Sequence, residues 1–525
     1  MIYYLHYSMK GFRQLISIPS IITVLIICVS AYFLFVKYQL STHRYFDHDE
    51  LSYLYWARHM VDGSMPYRDF LAYTAPGFFW FLEPIVYFFH GFDVFIAGRI
   101  MMYGVFLGLV MAVSGLFWEM RKSWTVVFIP LLLVFLPLPS DKFLEIRPDT
   151  LAILLVIIGL WIQIRCMNRL LLKTRRIELF LAGMCFGLSL LVSQKMLMLV
   201  GISFLGFIGW SRTHSSRRDM GAIIGGGASI GLIAGLWFAT LGNIPLIWYS
   251  LVQLPFEANK LGVLFPVAAD FFFHPNDVIY GTGGYHLGYW LNLFIWVLGI
   301  LIGIFRLVIA VTFQDSKTVW QEAIISVNFI LSVILFVYYM PMKHPQYLIP
   351  LAVFVVWYVA DGLYLLWEEN KKTAVHQVSA ALVFGLLLYL LLVGHQLVNE
   401  PKVHWNYDQD VELKPLLQMI PKKEYVLDFE CISLYYPSPY YITCMPVGQM
   451  TPFMSLKLPT IQDRLKETDT RYIYQGRWHR TQELLKDDQV YIAKHFTPIG
   501  DGKLLVRNDT VEAYQKRAGI PTAVQ

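Results

Sequence analysis

Asp47-His48-Asp49-Glu50 follows closely on the first membrane-length apolar run of the chain, residues 15–35. Four consecutive ionisable groups beside a bilayer are costly to keep dry, so they must meet water, a metal or a charged ligand. A second acidic stretch, Glu145-Ile146-Arg147-Pro148-Asp149, lies in a later short loop. Counting the apolar runs between the two puts both on one side of a membrane, which points to a shared site.

Composition sets the class. The 525 residues are 56% hydrophobic, 16% aromatic and only 15% charged, with a mean hydropathy of +0.51, which is too apolar for a soluble chain of this length. The expected fold is an α-helical polytopic membrane protein. Its net charge of +5 is scattered over short clusters, which speaks for membrane orientation and against a nucleic-acid partner. The first apolar run, about 22 residues, exceeds a signal-peptide core and precedes no small-residue cleavage site, so it reads as a retained anchor.

At roughly 17–25 residues per span, about eleven spans fit, with cores near 15–36, 93–118, 123–139, 149–165, 177–193, 196–210, 221–241, 288–308, 319–340, 347–367 and 374–396. Loops with Arg121-Lys122, Arg175-Arg176, Arg217-Arg218 and Lys371-Lys372 fall on one side, together with Lys10 and Arg13. The positive-inside rule makes that side cytoplasmic. The opposite side receives residues 47–83, 141–149, the Gln194-Lys195 turn, a loop over 242–285, the Lys343-His344 turn and everything beyond 396. The expected location is a multi-pass protein of a bacterial inner membrane, with its candidate chemistry facing outward.

In the first outer loop, residues 51–60 read as a helix entered from Asp49 and lying in the membrane interface, because Tyr53, Trp56 and Met60 share a face. Residues 76–89, opened by Pro76-Gly77, read as a second interfacial or re-entrant helix. Past residue 400 charges rise and strand-like segments appear at 425–427, 471–474, 490–493 and 504–507. The chain therefore divides into a membrane domain, 1–398, and a soluble extracytoplasmic α/β domain, 399–525. Cys431 and Cys444 lie in the latter, where a disulfide persists; they are expected to pair, the alternative being two buried thiols. Gly281-Thr282-Gly283-Gly284 is either a lid hinge or a plain surface connection.

Asp49-Glu50-Leu51-Ser52-Tyr53, Pro66-Tyr67-Arg68-Asp69 and Pro76-Gly77 behind an apolar first span resemble the first outer loop of the GT-C glycosyltransferases. The nearest group is the polyprenyl-phosphate-sugar-dependent enzymes related to protein O-mannosyltransferases and the aminoarabinose transferase of lipid A. Arg147-Pro148-Asp149-Thr150 is similar to that family's second outer motif, and the stretch from Lys343-His344-Pro345 to Pro350 to the turn before a late span. The resemblance covers residues 15–396.

It implies an inverting transfer of a monosaccharide from a polyprenyl-phosphate donor to a lipid, glycan or protein acceptor. Such a reaction needs a base at the acceptor, charge to receive the departing phosphate and a groove for the lipid. Asp49 is the expected base, or else a helix cap. Glu50 is expected to orient Asp49 or the acceptor, or to be a solvated charge. Asp149 either joins Asp49 around a divalent cation or forms an ion pair with Arg147. Arg147, Lys195, Lys343 and His344 supply positive charge for a phosphate, against snorkelling as the plain account. Tyr53 and Tyr347 either bind phosphate or sugar, or anchor at the interface. A transporter or flippase of polyprenyl-linked glycans is the rival, but it would carry ionisable or helix-breaking residues at several midplanes and two related halves.

Overall fold

The computed structural model describes residues 18–404 and 417–519, apart from breaks at 92, 137–139, 170–173, 215–216, 261–284, 314–315, 341–342, 372, 446 and 477–478. Long apolar runs can satisfy their backbone polar groups in lipid only as helices. Among the described residues, nine helices are long and apolar enough to cross a membrane. In order, the membrane domain comprises α1 (Ile18–His43), α2 (His48–Val61), α3 (Gly77–Phe88), α4 (Asp93–Arg121), α5 (Phe128–Phe135), α6 (Pro148–Asn168) and α7 (Arg175–Val192). It continues with α8 (Leu197–His214), α9 (Arg217–Leu241), α10 (Tyr285–Phe313), α11 (Ser316–Tyr338), α12 (Ile349–Asn370) and α13 (Ala374–Gly394).

Two of the expected spans fall short of that measure. The described part of the run 123–139 forms only the short apolar helix Trp124–Phe135, and α7 has 18 residues, its first turn carrying Arg175, Arg176 and Glu178. The glycine-based hinge proposed at 281–284 lies outside the described residues.

Glycine decides how two helices meet. A Cβ on Gly226 would lie 1.9 Å from the Phe180 carbonyl oxygen, and one on Gly183 would lie 1.9 Å from that of Ile223. α7 and α9 therefore pack backbone to backbone, as small residues permit inside a membrane. At the end of the bundle away from the soluble domain, Asp361 of α12 takes Arg306 of α10 (Nη2–Oδ1 2.7 Å) and Arg121 of α4 (Nε–Oδ1 2.6 Å). Arg121 also pairs with Glu322 of α11. This neutral group of two acids and two arginines joins four helices. In sequence Arg121 reads only as an orienting charge of a cytoplasmic loop; its pairing with Asp361 and Glu322 is set by the fold.

The soluble domain is a four-stranded sheet in the order β1 (Val426–Asp428), β2 (Tyr472–Tyr474), β4 (Leu504–Arg507), β3 (Phe496–Ile499), parallel between β1 and β2 and antiparallel elsewhere. The strand expected at 490–493 is instead part of α14 (Lys486–His495), and the missed strand is β3. Asp488 and Ile492, one helical turn apart, are the buried pair of α14, with acids in its first turn and Lys494 and His495 in its last, a helical arrangement.

The domain docks on the first loop. Cys431 and Cys444 are disulfide-bonded, and this closed loop packs with the membrane core through Cys431, Leu434 and Tyr435. The Leu71 amide donates to the Tyr441 carbonyl at 2.8 Å, and the Tyr441 hydroxyl to the Tyr67 carbonyl at 2.9 Å. The Arg58 guanidinium lies 5.4 Å from the centre of the Tyr435 ring. Residues 51–57 are buried as a result. Instead of floating in the interface, α2 is clamped between the bundle and the domain.

Two outcomes follow from these contacts. Gly226→Val should destabilise the bundle by about 1–3 kcal/mol, because backbone cannot retreat as a side chain can; thermal unfolding in nanodiscs checks it. Burial, opposed by Asp62, pushes His59 in the docking face down to about 4. The unfolded imidazole then binds more protons than the folded one from about pH 6.5 down to about 4. Stability is complete above that window and declines as pH falls through it, and His59→Phe should flatten the decline.

Candidate active site

The first loop starts α2 with a reciprocal cap. Asp47 Oδ1 accepts from the Asp49 amide at 3.1 Å, and Glu50 Oε1 from the Asp47 amide at 2.9 Å. The cap is thus Asp47, leaving Asp49 in the first turn with its carboxylate free for other work.

Glu50 points inward. It is fully buried, ion-paired to Arg99 of α4 through both oxygens, and accepts the Ile146 amide at 2.9 Å. Arg99 also donates to the carbonyls of Ser41 (3.2 Å) and Tyr45 (3.0 Å). The pair ties together the end of α1, the start of α2, α4 and the second acidic loop. Of the two roles expected for Glu50, orienting Asp49 fits this placement; contact with an acceptor does not.

From that loop, Arg147 reaches back. Its Nη1 donates to Asp49 Oδ2, its Nη2 to Asp47 Oδ1 at 2.7 Å and its Nε to Glu145 Oε2 at 2.7 Å. Burial works against the Arg147 charge, but Asp49, Asp47 and Glu145 outweigh it and keep the guanidinium ionised. Burial likewise opposes the Asp47 charge, and Arg147 and Lys142 overcome it, holding that carboxyl well below the usual range. The donors of Arg147 are thus directed at three acids, Asp47, Asp49 and Glu145.

Asp149 sits in the first turn of α6, with Oδ1 3.2 Å from Lys195 Nζ. It pairs with Lys195 rather than with Arg147. Lys195 Nζ lies 4.3 Å from the centre of the Tyr347 ring, and the His344 and Tyr347 rings meet edge to face at 5.7 Å. Tyr53 is raised well above its ordinary range by burial first, then by Tyr73, Asp49 and Asp149, so both acidic loops bear on one hydroxyl. Burial pushes His344 down against the pull of Asp49; a neutral imidazole faces the acids.

Exposure separates the acids. The side chain of Asp49 is 41% exposed, against 28% for Asp47, 3% for Asp149 and none for Glu50. Lys195 is 34% exposed. The site therefore presents one reachable carboxylate and one reachable ammonium, each held by a buried partner of opposite charge, with Tyr53, His344 and Tyr347 beside them. Lys343 is not brought in. It donates to the Met340 carbonyl and lies 5.6 Å from the Phe336 ring centre, turned back on the end of α11.

For the divalent cation expected between Asp49 and Asp149, one oxygen of each carboxylate holds a cationic side chain, and among the described residues no three His, Cys, Asp or Glu side chains gather as metal ligands would. Sequence reasoning also missed Tyr73 and Gln194. The Gln194 side chain donates to the Tyr73 carbonyl at 3.0 Å and accepts from the Ala75 amide at 3.2 Å, and Tyr73 hydrogen-bonds Tyr53. Tyr73 had no sequence signal beyond its place before Pro76.

This architecture has counterparts among solved structures. Across 92% of this chain and 97% of the other, it superposes on ArnT from Cupriavidus metallidurans bound to undecaprenyl phosphate, with a TM-score of 0.58 at 12% identity. The fold is GT-C. The oligosaccharyltransferase of Archaeoglobus fulgidus in the apo form matches over 93% of this chain and 74% of its own, with a TM-score of 0.53 at 11% identity. The same organism's AglB, in complex with an inhibitory peptide and a dolichol-phosphate, gives 0.52 at 10% over 91% and 74%. No protein-family model and no curated protein sequence matches this chain.

Glu50→Gln should cost about 3–5 kcal/mol, because it leaves the Arg99 charge buried and unpaired. Thermal unfolding checks this; a change under about 1 kcal/mol would show that the pair is not the joint of the two loops.

Proposed function

We propose that this chain transfers a monosaccharide from a polyprenyl-phosphate donor to a hydroxyl or amine of a lipid, glycan or protein acceptor, at the membrane face that carries the soluble domain. The charge distribution in the loops supports an extracytoplasmic setting for that face. The observation that carries the reading is the partly exposed Asp49 carboxylate, bonded to Arg147, and the partly exposed Lys195 ammonium, bonded to Asp149, with both acids acting on the Tyr53 hydroxyl. The structures of ArnT with undecaprenyl phosphate and of AglB with dolichol-phosphate support a lipid-phosphate donor.

In this scheme the acceptor nucleophile attacks the anomeric carbon, its proton passes to Asp49, and the bond from that carbon to the phosphate oxygen breaks. Polyprenyl phosphate leaves with one more negative charge. Lys195, with Tyr347 and Tyr53 as hydroxyl donors and His344 at the rim, receives that growing charge. Asp149 keeps Lys195 in place, and Arg147 and Glu50 keep Asp49 in place. A single displacement of this kind inverts the anomeric centre.

The test is release of polyprenyl phosphate from a polyprenyl-phosphate sugar by the full chain in nanodiscs, with mannose and aminoarabinose donors compared. Asp49→Asn should reduce turnover by about 10²–10⁴, and Lys195→Met by about 10²–10³, with unfolding temperatures near that of the unaltered protein. An Asp49→Asn protein that turns over at the original rate would exclude Asp49 as the base, and NMR of the product tests inversion.

A further inference from the structure

Lys195, the proposed phosphate-binding ammonium, stands in a single 3₁₀ turn, Gln194–Met196, between α7 and α8. Within itself the turn is held by two bonds, from the Met196 amide to the Ser193 carbonyl at 3.1 Å and from the Leu197 amide to the Gln194 carbonyl. So short a helix sets its own direction poorly. Asp149 bonds only the far end of the lysine chain, and a side chain with about 2 kcal/mol of rotamer entropy needs its backbone fixed as well.

Gln194 supplies that second fastening. Its Nε2 donates to the Tyr73 carbonyl at 3.0 Å, and its Oε1 accepts from the Ala75 amide at 3.2 Å. In a parallel sheet one residue bonds the carbonyl and the amide that flank a residue of the next strand, and the Gln194 amide reproduces that pairing around Thr74. A primary amide carries the donor and the acceptor this needs at one end, whereas a carboxylate has no donor.

The stretch that Gln194 grips is itself fixed on both sides. The Leu71 amide is bonded to the Tyr441 carbonyl of the soluble domain, and the Thr74 carbonyl accepts from the Tyr67 hydroxyl at 2.6 Å. A Cβ on Gly77 would lie 2.7 Å from the Leu191 carbonyl oxygen, so the start of α3 touches the end of α7 along the backbone. Residues 71–77 and 191–195 thus form one seam that runs from the soluble domain to Lys195. Inside the seam the Tyr73 ring meets Trp56 of α2 edge to face at 5.1 Å, and Tyr73 hydrogen-bonds Tyr53.

We infer that Gln194 is a positioning residue for the proposed transfer: through the backbone of Tyr73 and Ala75 it sets where Lys195 stands relative to the first outer loop, which carries Tyr53 and Asp49. The role rests on that transfer, in which Lys195 receives the charge of the leaving phosphate. Gln194 itself touches no reacting group. It acts through Lys195, so its loss can cost no more than the loss of Lys195 does.

The test measures release of polyprenyl phosphate by the full chain in nanodiscs, from polyprenyl-phosphate mannose and from polyprenyl-phosphate aminoarabinose. Gln194→Met keeps the length of the side chain and removes both bonds. It should lower kcat by about tenfold or more, with the donor KM within about threefold, because the charge on the phosphate grows only as the bond breaks. In a Lys195→Met background the same substitution should change kcat by less than about twofold. Hydrogen exchange needs no donor: the Ala75 amide should exchange about tenfold faster or more in Gln194→Met. Gln194→Ala, which lets water reach both backbone groups, should show the same kcat loss and carries the test should Gln194→Met not fold. The inference is overturned if kcat holds in these variants, if their loss multiplies with that of Lys195→Met, or if exchange at Ala75 is unchanged. Each of those results leaves the proposed transfer standing. A Lys195→Met protein at the full rate overturns the transfer scheme instead, and the role of Gln194 with it.

Discussion

The ion pair of Glu50 with Arg99 is the constraint on which the rest of the site depends. Both side chains are wholly buried, so neither charge can relax into water if the other moves, and the pair holds only in one geometry. Through the Ile146 amide and the carbonyls of Ser41 and Tyr45, it joins two loops distant in sequence before any ligand arrives. A catalytic carboxylate is useful only if its direction is set beforehand. Glu50, next to Asp49 but buried against Arg99, would serve that purpose for the proposed base.

The same logic recurs one layer outward. Asp47, Asp49 and Glu145 converge on Arg147, and Asp149 on Lys195. Each exposed group has a buried counterpart, so the charges that face water are positioned by charges that do not. The proposed base and the proposed phosphate-binding ammonium then differ in sign and position.

The soluble domain changes the character of the first loop. A helix that its own pattern would lay in the membrane interface is roofed by the disulfide-closed loop of the domain, with Tyr441 bonded to residues 67 and 71. The roof excludes water from the inner face of α2 while Asp49, in its first turn, stays accessible. Burial beside this roof is also what lowers His59.

Much of the fold was legible because lipid leaves few choices. An apolar run of sufficient length must be a helix, and the parity of such runs puts Asp49 and Asp149 on one side. The two short spans blurred because charge and length trade off at their ends, as Arg175, Arg176 and Glu178 show in α7. The strand at 496–499 was missed because it carries Pro498, and helix 486–495 because its apolar residues also satisfy a strand pattern. Chain composition and order determined that this is a many-helix membrane protein with an acidic loop pair, a soluble domain carrying two cysteines and a likeness to the GT-C enzymes; that the two cysteines are bonded is a finding of the structure. Only the tertiary structure decided which acid meets which base: Arg147 with Asp49, Lys195 with Asp149, Glu50 with Arg99 and Lys343 with none of them. Pairing depends on distances across the bundle, and charge pairs buried at low dielectric are selected by geometry that neighbouring residues in the chain do not encode.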